Sequence, residues 1–343
     1  MSIQTTPRIL VTGATGFLGG HALKALAAQP SVELIAACRD RRKLPVWFKG
    51  EVREGNLLDP AYRQVLPRDV DVVCHAAGWA AMWGHAELER VRFYEPAIDL
   101  IEQSIRHRVK RFIQTSTLVI GEVRRDGAPH DDRSATRRTG FWPHLDRLID
   151  IDHYLRANRH RGTQMVTLRF GHFIGKGNRF GLLPALVPRL RTYLVPWLDG
   201  GRKRMPLVAD TDLGQGFALA AVADGLDSYE SFNICGANFP TMREVIEFIA
   251  EETGVPLPVY NVPYSVGYAF GWLMEKLHPI LPGSSPFLPR SLVHLSEDWL
   301  CSNDYARQKL GYIAQKDWRA AVREHLAELR NAGYPWPRLA QAN

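Results

Sequence analysis

Five short runs of apolar and β-branched residues, separated by stretches with helical spacing, constrain this chain more than any other feature. "RILVTG" (8–13), "ELIAAC" (33–38), "DVVCHAAG" (71–78), "RFIQTST" (111–117) and "MVTLRF" (165–170) read as strands. Several are apolar along their whole length, so neither face of the strand tolerates water. That pattern requires a sheet covered by helices on both sides. Strand–helix alternation then implies parallel neighbours, and the expected fold is α/β, a doubly wound parallel sheet. One of the helices begins at Pro143, where Leu145, Leu148, Ile149, Ile151 and Leu155 recur at three- and four-residue steps.

The texture changes after residue 175. Prolines cluster at 184, 188, 196 and 206, and helical patterns return at 213–223 and 241–253. A late run, "SFNIC" (231–235), could rejoin the sheet. The stretch 262–295 is apolar, aromatic and broken by prolines, which suits the wall of a substrate lobe or an interfacial helix better than a membrane span. With 343 residues the chain accommodates a large domain and a smaller lobe. The expected division is 1–175, with 205–235 returning to it, and a lobe of 176–204 and 236–330.

A hydrophobic fraction of 45% supports a sizeable core. The net charge of +7 is scattered in short runs such as "RHRVKR" (106–111), with no basic face interleaved with exposed aromatics. A nucleic-acid partner is therefore not expected. Cys38, Cys74, Cys235 and Cys301 are dispersed, without CxxC spacing, which argues against a zinc site or redox pair and suits a reducing cytoplasm. A strand that starts almost at the first residue leaves no room for a secretory signal, and no run of about 18 apolar residues suggests a transmembrane helix. The expected location is cytoplasmic.

"VTGATGFLGG" places Gly13, Gly16 and Gly19 three apart between a strand and a helix. Glycines there let the backbone turn tightly and approach a pyrophosphate, while the helix start offers unpaired N–H groups. Thr15, Phe17 and Leu18 belong to the same turn. The second strand ends about twenty residues on, as the dinucleotide fingerprint requires. That strand end carries Arg39, with Arg41, Arg42 and Lys43 following, and Asp40 only after Arg39. Positive charge where a ribose 2′-phosphate would lie favours NADP(H); NAD(H) is the alternative.

With "GNLLDP" (55–60), "CHAAG" (74–78), "QTSTLVIG" (114–121), "LRFGHFIGKGN" (168–178) and "PLVADTDLGQGFALAA" (206–221) in this order, the chain resembles the extended short-chain dehydrogenase/reductase superfamily. "NVPYSVGYAFGWLMEKL" and "SNDYARQKLGY" look like its 3β-hydroxysteroid dehydrogenase-like branch. The resemblance implies a Rossmann-type fold in which Gly13, Gly16 and Gly19 hold the pyrophosphate. It further implies that Asn56 and Leu57 flank the adenine, that Ala76 and Ala77 lie near the cofactor ribose, and that Ser116 polarises a substrate carbonyl.

The same resemblance implies a Tyr-x-x-x-Lys motif whose tyrosine donates a proton. Counting from Ser116 and from "LRFG" lands on Pro143-x-x-x-Arg147. Proline donates nothing. Arg147 keeps a positive charge for the ribose contact but cannot deprotonate near neutral pH. Arg92 stands where an asparagine of the proton relay would be. His144, beside the vacant position, has an imidazole suited to acid–base work, and Tyr94 is a further candidate. Tyr154 lies about three turns beyond Pro143, too far to reach the same spot.

The leading reading is an NADP(H)-dependent oxidoreductase acting on an apolar ketone or alcohol, sterol-like, polyketide or long-chain 3-oxo, with a non-standard proton donor. Trp79 and Trp83 would supply apolar walls. The alternatives are a catalytically altered or non-catalytic NADP(H)-binding protein, and a sugar-nucleotide epimerase or dehydratase. Peripheral membrane contact and a homodimer through the helix at 145–155 stay open, and no metal is expected.

Overall fold

The computed structural model describes residues 6–132, 134–280 and 285–332; parts of the expected domain (1–5 and 133) and of the lobe (281–284) lie outside them. The first half alternates Arg8–Thr12 (β1), Phe17–Ala27 (α1), Glu33–Cys38 (β2), Glu51–Glu54 (β3), Pro60–Val65 (α2), Val72–His75 (β4), Ala86–Glu89 (α3), Glu95–Arg106 (α4), Arg111–Thr117 (β5), Pro143–Asn158 (α5) and Gln164–Phe170 (β6). A π turn, Arg90–Tyr94, joins α3 to α4 without a break. The second half holds His172–Ile174 (β7), Leu182–Leu190 (α6), Trp197–Leu198 (β8), Leu207–Ala209 (β9), Asp210–Val222 (α7), Tyr229–Ile234 (β10) and Met242–Thr253 (α8). Asn261–Val262 (β11), Tyr264–Leu277 (α9), Arg290–Leu295 (α10), Asp304–Leu310 (α11) and Trp318–Asn331 (α12) follow.

The central sheet has seven parallel strands in the order β10-β6-β5-β4-β1-β2-β3. The fold is therefore a Rossmann-type doubly wound α/β sheet, and the run at 231–235 does rejoin it, as its edge strand. Strand order reverses between β1 and β4, the place where open sheets of this kind bind ligands, outside the strands' carboxyl ends. Helices α1 and α7 cover one face; Leu18, Ala22, Leu23, Leu26, Leu213 and Phe217 bury against Ile9, Val11 and Val166. On the other face, Leu100 and Ile101 of α4 and Leu145, Ile149 and Leu155 of α5 bury against Leu10, Val73 and Phe112. The apolar stripe of α5 is thus consumed by the chain's own core.

The strand β3 was not among the expected ones because "EVRE" lacks an apolar run. It is the sheet's edge, half solvated, and needs none. In the C-terminal part, α8 and α12 enclose a separate core around Trp197, Val245, Ile249, Trp318 and Val322. The helix α9 is unusual: its only buried residues are Gly267 and Gly271, and Val266, Phe270, Trp272 and Leu273 point outward. No helix among the described residues is long and apolar enough to cross a membrane.

The turn after β1 is the tightest place in the fold. Gly13 has φ +64°, and a Cβ on it would lie 2.8 Å from the Ala77 Cα. A Cβ on Gly19 would lie 2.2 Å from the Gly13 carbonyl oxygen. Alanine is favoured over glycine inside a helix by about 1 kcal/mol, but that clash is with backbone and cannot relax by a rotamer change. Gly19→Ala is expected to destabilise the protein by roughly 2–4 kcal/mol, read as a lower midpoint in denaturant; an unchanged midpoint would contradict the packing described.

Candidate functional site

The turn Gly13–Gly16 closes with the Gly16 N–H donating to the Gly13 carbonyl at 2.8 Å, and α1 starts at Phe17. Gly16 is the N-cap and supplies no side chain; no acidic residue stands in the first turn. The first N–H groups of α1 therefore point outward without a side-chain acceptor, which is the arrangement that binds an anion. Unlike Gly13 and Gly19, Gly16 has an ordinary φ of −86°, and a Cβ there would meet only the Gly13 oxygen, at 3.2 Å. The space beside it is open. Thr15 is exposed, Leu18 is buried, and Phe17 packs on Phe173 with ring centroids 6.0 Å apart. Ala76 and Ala77, after β4, close against Gly13, and the Ala77 N–H donates to Thr12 Oγ1 at 3.3 Å.

At the end of β2, Asp40 is taken up by its neighbour. Its carboxylate accepts the Arg42 N–H at 3.0 Å and the Arg42 guanidinium at 2.9 Å, which holds its pKa below the usual carboxylate range. The side chains of Arg39 and Lys43 are exposed and make no hydrogen bond or ion pair with the described residues. Asn56 is exposed at the end of β3, its side chain turned to the Leu58 N–H at 3.1 Å, while the carbonyl of half-buried Leu57 accepts from Arg63. These groups lie on the β2 side of the reversal point.

The sheet face beneath α4 and α5 carries buried polar groups that the apolar reading of the strands missed. Register places Thr12, His75, Gln114, Thr167 and Ser231 across five adjacent strands. Two residues further along, on the same face, come Ser116, Arg169 and Asn233. Thr12 Oγ1 and His75 Nδ1 are 2.8 Å apart, and burial pushes the His75 imidazole down to about 4. Ser116 is 4% exposed and its Oγ has no hydrogen-bond partner among the described residues. A buried hydroxyl without a partner at a strand's carboxyl end is an open donor and acceptor.

At the start of α5, Trp142 is the N-cap and Pro143 fills a position whose N–H would be unpaired in any helix. The Trp142 indole donates to the Ala81 carbonyl at 2.9 Å. His144 Nδ1 lies 3.0 Å from an oxygen of Glu89, a carboxylate with no solvent exposure whose other oxygen accepts the Ala81 N–H at 2.8 Å. Phe93 packs on His144 with centroids 4.9 Å apart and the rings tilted by 45°, and a Cβ on Gly78 would be 3.6 Å from the same Phe93 ring. His144 is thereby tied to the segment that follows Ala76 and Ala77. Arg147 is already engaged: it donates to Asp150 at 3.1 Å and sits 5.1 Å from the centroid of the Tyr94 ring. Arg92 is exposed, and Phe93 is the buried residue of the π turn. Spacing on a regular helix does not anticipate that turn. The Tyr154 hydroxyl donates to Glu102 on α4.

An aromatic wall faces the start of α5. Phe141 meets Tyr268 of α9 at 5.7 Å and His294 of α10 at 6.0 Å, and Arg290 covers Phe141 at 4.6 Å. Trp83 meets His278 at 4.6 Å, Trp79 meets His85 at 6.1 Å, and the Ser291 hydroxyl donates to the Met82 carbonyl. Residues 78–85 and the α9–α10 pair thus border the same region. Dispersed cysteines also meet: the buried thiols of Cys235 and Cys301 are 2.8 Å apart. No group of three or more metal-ligating side chains occurs among the described residues.

This sheet order, with an uncapped glycine turn at the reversal point, defines a Rossmann-type protein. The chain belongs to the NAD dependent epimerase/dehydratase family, whose profile matches residues 9–235, within the extended short-chain dehydrogenase/reductase superfamily. It is similar to a 4-hydroxy-2-methyl-3-oxo-4-farnesyl-3,4-dihydroquinoline-1-oxide ketoreductase of Stigmatella aurantiaca, 26% identical over 95% of this chain and 96% of that one. A 2-alkyl-3-oxoalkanoate reductase of Shewanella oneidensis is 23% identical over 89% of this chain and 81% of that one. Among solved structures, MoeE5 in complex with UDP-glucuronic acid and NAD superposes with a TM-score of 0.73 at 17% identity, covering 95% of this chain and 99% of that one.

The polar face has a consequence for stability. Asp132 is 3% exposed, accepts the Asn233 N–H, and burial pushes its carboxyl up to about 7 from 3.8. A carboxyl whose folded pKa is raised holds a proton that the unfolded chain has lost, so its contribution is present below the unfolded value and is lost as pH rises through the folded one. Asp132→Asn keeps the acceptor and removes the charge. It is expected to raise stability by roughly 1–3 kcal/mol at pH 8 and to change it little below pH 4. Melting temperatures of both proteins across this range decide it; a gap that does not widen with pH would refute the assignment.

Proposed function

We propose that the protein is an NADP(H)-dependent reductase of apolar ketones, with His144 as proton donor in place of the absent tyrosine. The observation that carries the reading is the state of His144: it stands at the start of α5 with one ring nitrogen held and the other, Nε2, without a partner among the described residues. The residues present fit the cofactor. Gly13 and Gly19 exclude Cβ atoms, Gly16 leaves open space, and the uncapped start of α1 offers N–H groups to a pyrophosphate. Arg39 and Lys43 are unengaged where a 2′-phosphate would need cations, and Asp40 is neutralised by Arg42. Asn56 and Leu57 border the adenine side, and Ala76 and Ala77 the ribose side.

When bound, the nicotinamide supplies the hydride. The protein's own task is to hold the substrate carbonyl and give a proton to its oxygen. The unpartnered Ser116 hydroxyl donates to that oxygen, and His144 Nε2 delivers the proton. Residues 176–204 and 236–330 form the substrate lobe, and the aromatic groups of Phe141, Tyr268, Trp79 and Trp83 favour an apolar substrate over a nucleotide-sugar. The two similar reductases act on 3-oxo compounds, by their names, which supports the same substrate class here.

One observation favours a second reading, a non-catalytic NADP(H)-binding protein. Arg147, at the position of the family's lysine, is spent on Asp150 and Tyr94. Calorimetric titration with NADPH and NADH, followed by turnover on a panel of apolar ketones, separates the two. Tight NADPH binding with turnover that His144→Ala abolishes supports the reductase; tight binding without turnover favours the second reading. Gly16→Val is expected to fold normally and lose cofactor binding. Arg39→Ala is expected to weaken NADPH by about tenfold while NADH changes little, and equal losses for both would remove the basis for the NADP preference.

A further inference from the structure

We infer that Glu89 is the positioning residue of the proton donor: it orients His144 and fixes a proton on Nδ1, which leaves Nε2 as the ring nitrogen that serves the substrate carbonyl. The inference rests on the reductase reading for its catalytic meaning, and on geometry for the pair itself. Glu89 is fully buried, yet it sits among Glu87, Arg90 and Arg92, which are exposed or only part-buried. A carboxylate out of water needs partners for both oxygens. Here one oxygen takes the Ala81 N–H at 2.8 Å and the other takes His144 at 3.0 Å. The backbone of α3 runs into the π turn directly after Glu89, and such turns re-aim neighbouring side chains. Phe93 closes one face of the imidazole, so the ring has little freedom left.

The other charged groups on the elements around α5 are committed elsewhere. Arg90 is held by Glu87 and Glu95, and Arg63 holds Asp99. Arg161 holds Glu102, and Arg147 and Arg138 converge on Asp150. Asp146 accepts the N–H groups of Thr139 and Gly140, and Arg169 of β6 pairs with Asp152. The turn Leu118–Ile120 carries no titratable group. Arg92 and Tyr94 stand on the π turn, His294 on α10 and His85 before α3. Among the described residues, Glu89 is the one carboxylate paired with His144.

The proton balance is simple. With Nδ1–H donated to Glu89, Nε2 of the imidazolium gives its proton to the carbonyl oxygen and keeps the electron pair of the broken N–H bond. Neutral imidazole protonated on Nδ1 remains, and solvent returns a proton to Nε2.

The test is nitrogen-15 NMR of histidine-labelled intact protein, wild type beside Glu89→Gln and Glu89→Asp. The expected result is a neutral His144 protonated on Nδ1 in the wild type, a mixture of both tautomers in Glu89→Gln, whose amide can donate as well as accept, and the wild-type tautomer restored in Glu89→Asp. The kcat for ketone reduction should fall about tenfold in Glu89→Gln and recover in Glu89→Asp, with KM little changed. A wild-type ring protonated on Nε2, or the same tautomer in wild type and Glu89→Gln, overturns the inference. If Glu89→Gln does not fold, the wild-type tautomer alone decides. Turnover that survives His144→Ala sinks the donor reading instead, and the NMR result still judges the pair.

Discussion

The structure depends on one contact that only glycine permits: the helix α1 resting, through Gly19, on the carbonyl of Gly13. A side-chain carbon there would sit 2.2 Å from that oxygen. Because α1 can come this close, its start points across the ends of β1 and β4, where the strand order reverses. The same glycine turn leans on Ala77, so the segment after β4 is fixed relative to it. From Ala77 the chain passes Gly78 against Phe93, then Ala81 against Trp142 and Glu89. The cofactor side and the start of α5 are therefore one continuous packing problem.

Two opposing electrical demands meet on the sheet face above that segment. Burial keeps His75 neutral down to about 4, while it raises Asp132 to about 7. The fold holds both groups neutral, whereas the unfolded chain charges the histidine in acid and the carboxyl in base. Burial of both in one face narrows the pH range over which the sheet is most stable. Unpartnered hydroxyls of Thr167 and Ser231 continue the row beyond Gln114. A parallel sheet with so many polar groups inside is costly unless those groups meet small polar molecules or one another.

The fold was legible because each strand repeats the same chemistry: "ILV", "LIAA" and "VVC" leave no polar face, and a sheet buried on both sides follows. The glycine turn was legible because its glycines answer to backbone sterics that spacing alone reveals. What could not be read depends on neighbours distant in sequence. Glu89 looks like Glu87, two residues earlier; only the approach of Ala81 and His144, eight and 55 positions away, makes it a buried acceptor. The polar row escaped because each strand contributes one member, and a single threonine or glutamine within an apolar run looks incidental. The edge strand β3 escaped for the opposite reason, since its charged residues belong to a half-solvated position.

The residues around Pro143 suit a proline at the start of a helix. Proline at the first helical position donates no N–H, so the helix start asks less of its cap. Trp142 takes the cap position and anchors its indole on Ala81 instead. Asp146 turns back to gather Thr139 and Gly140, which pins the approach to the helix. Phe141 then faces the lobe through Tyr268 and His294. Each of these contacts would be unnecessary if the segment served only to start a helix. Together they hold His144 where it meets Glu89, a buried carboxylate with no other side-chain partner among the described residues. A carboxylate out of water is costly without partners, so the His144 ring and the Ala81 N–H are what make the burial of Glu89 tolerable.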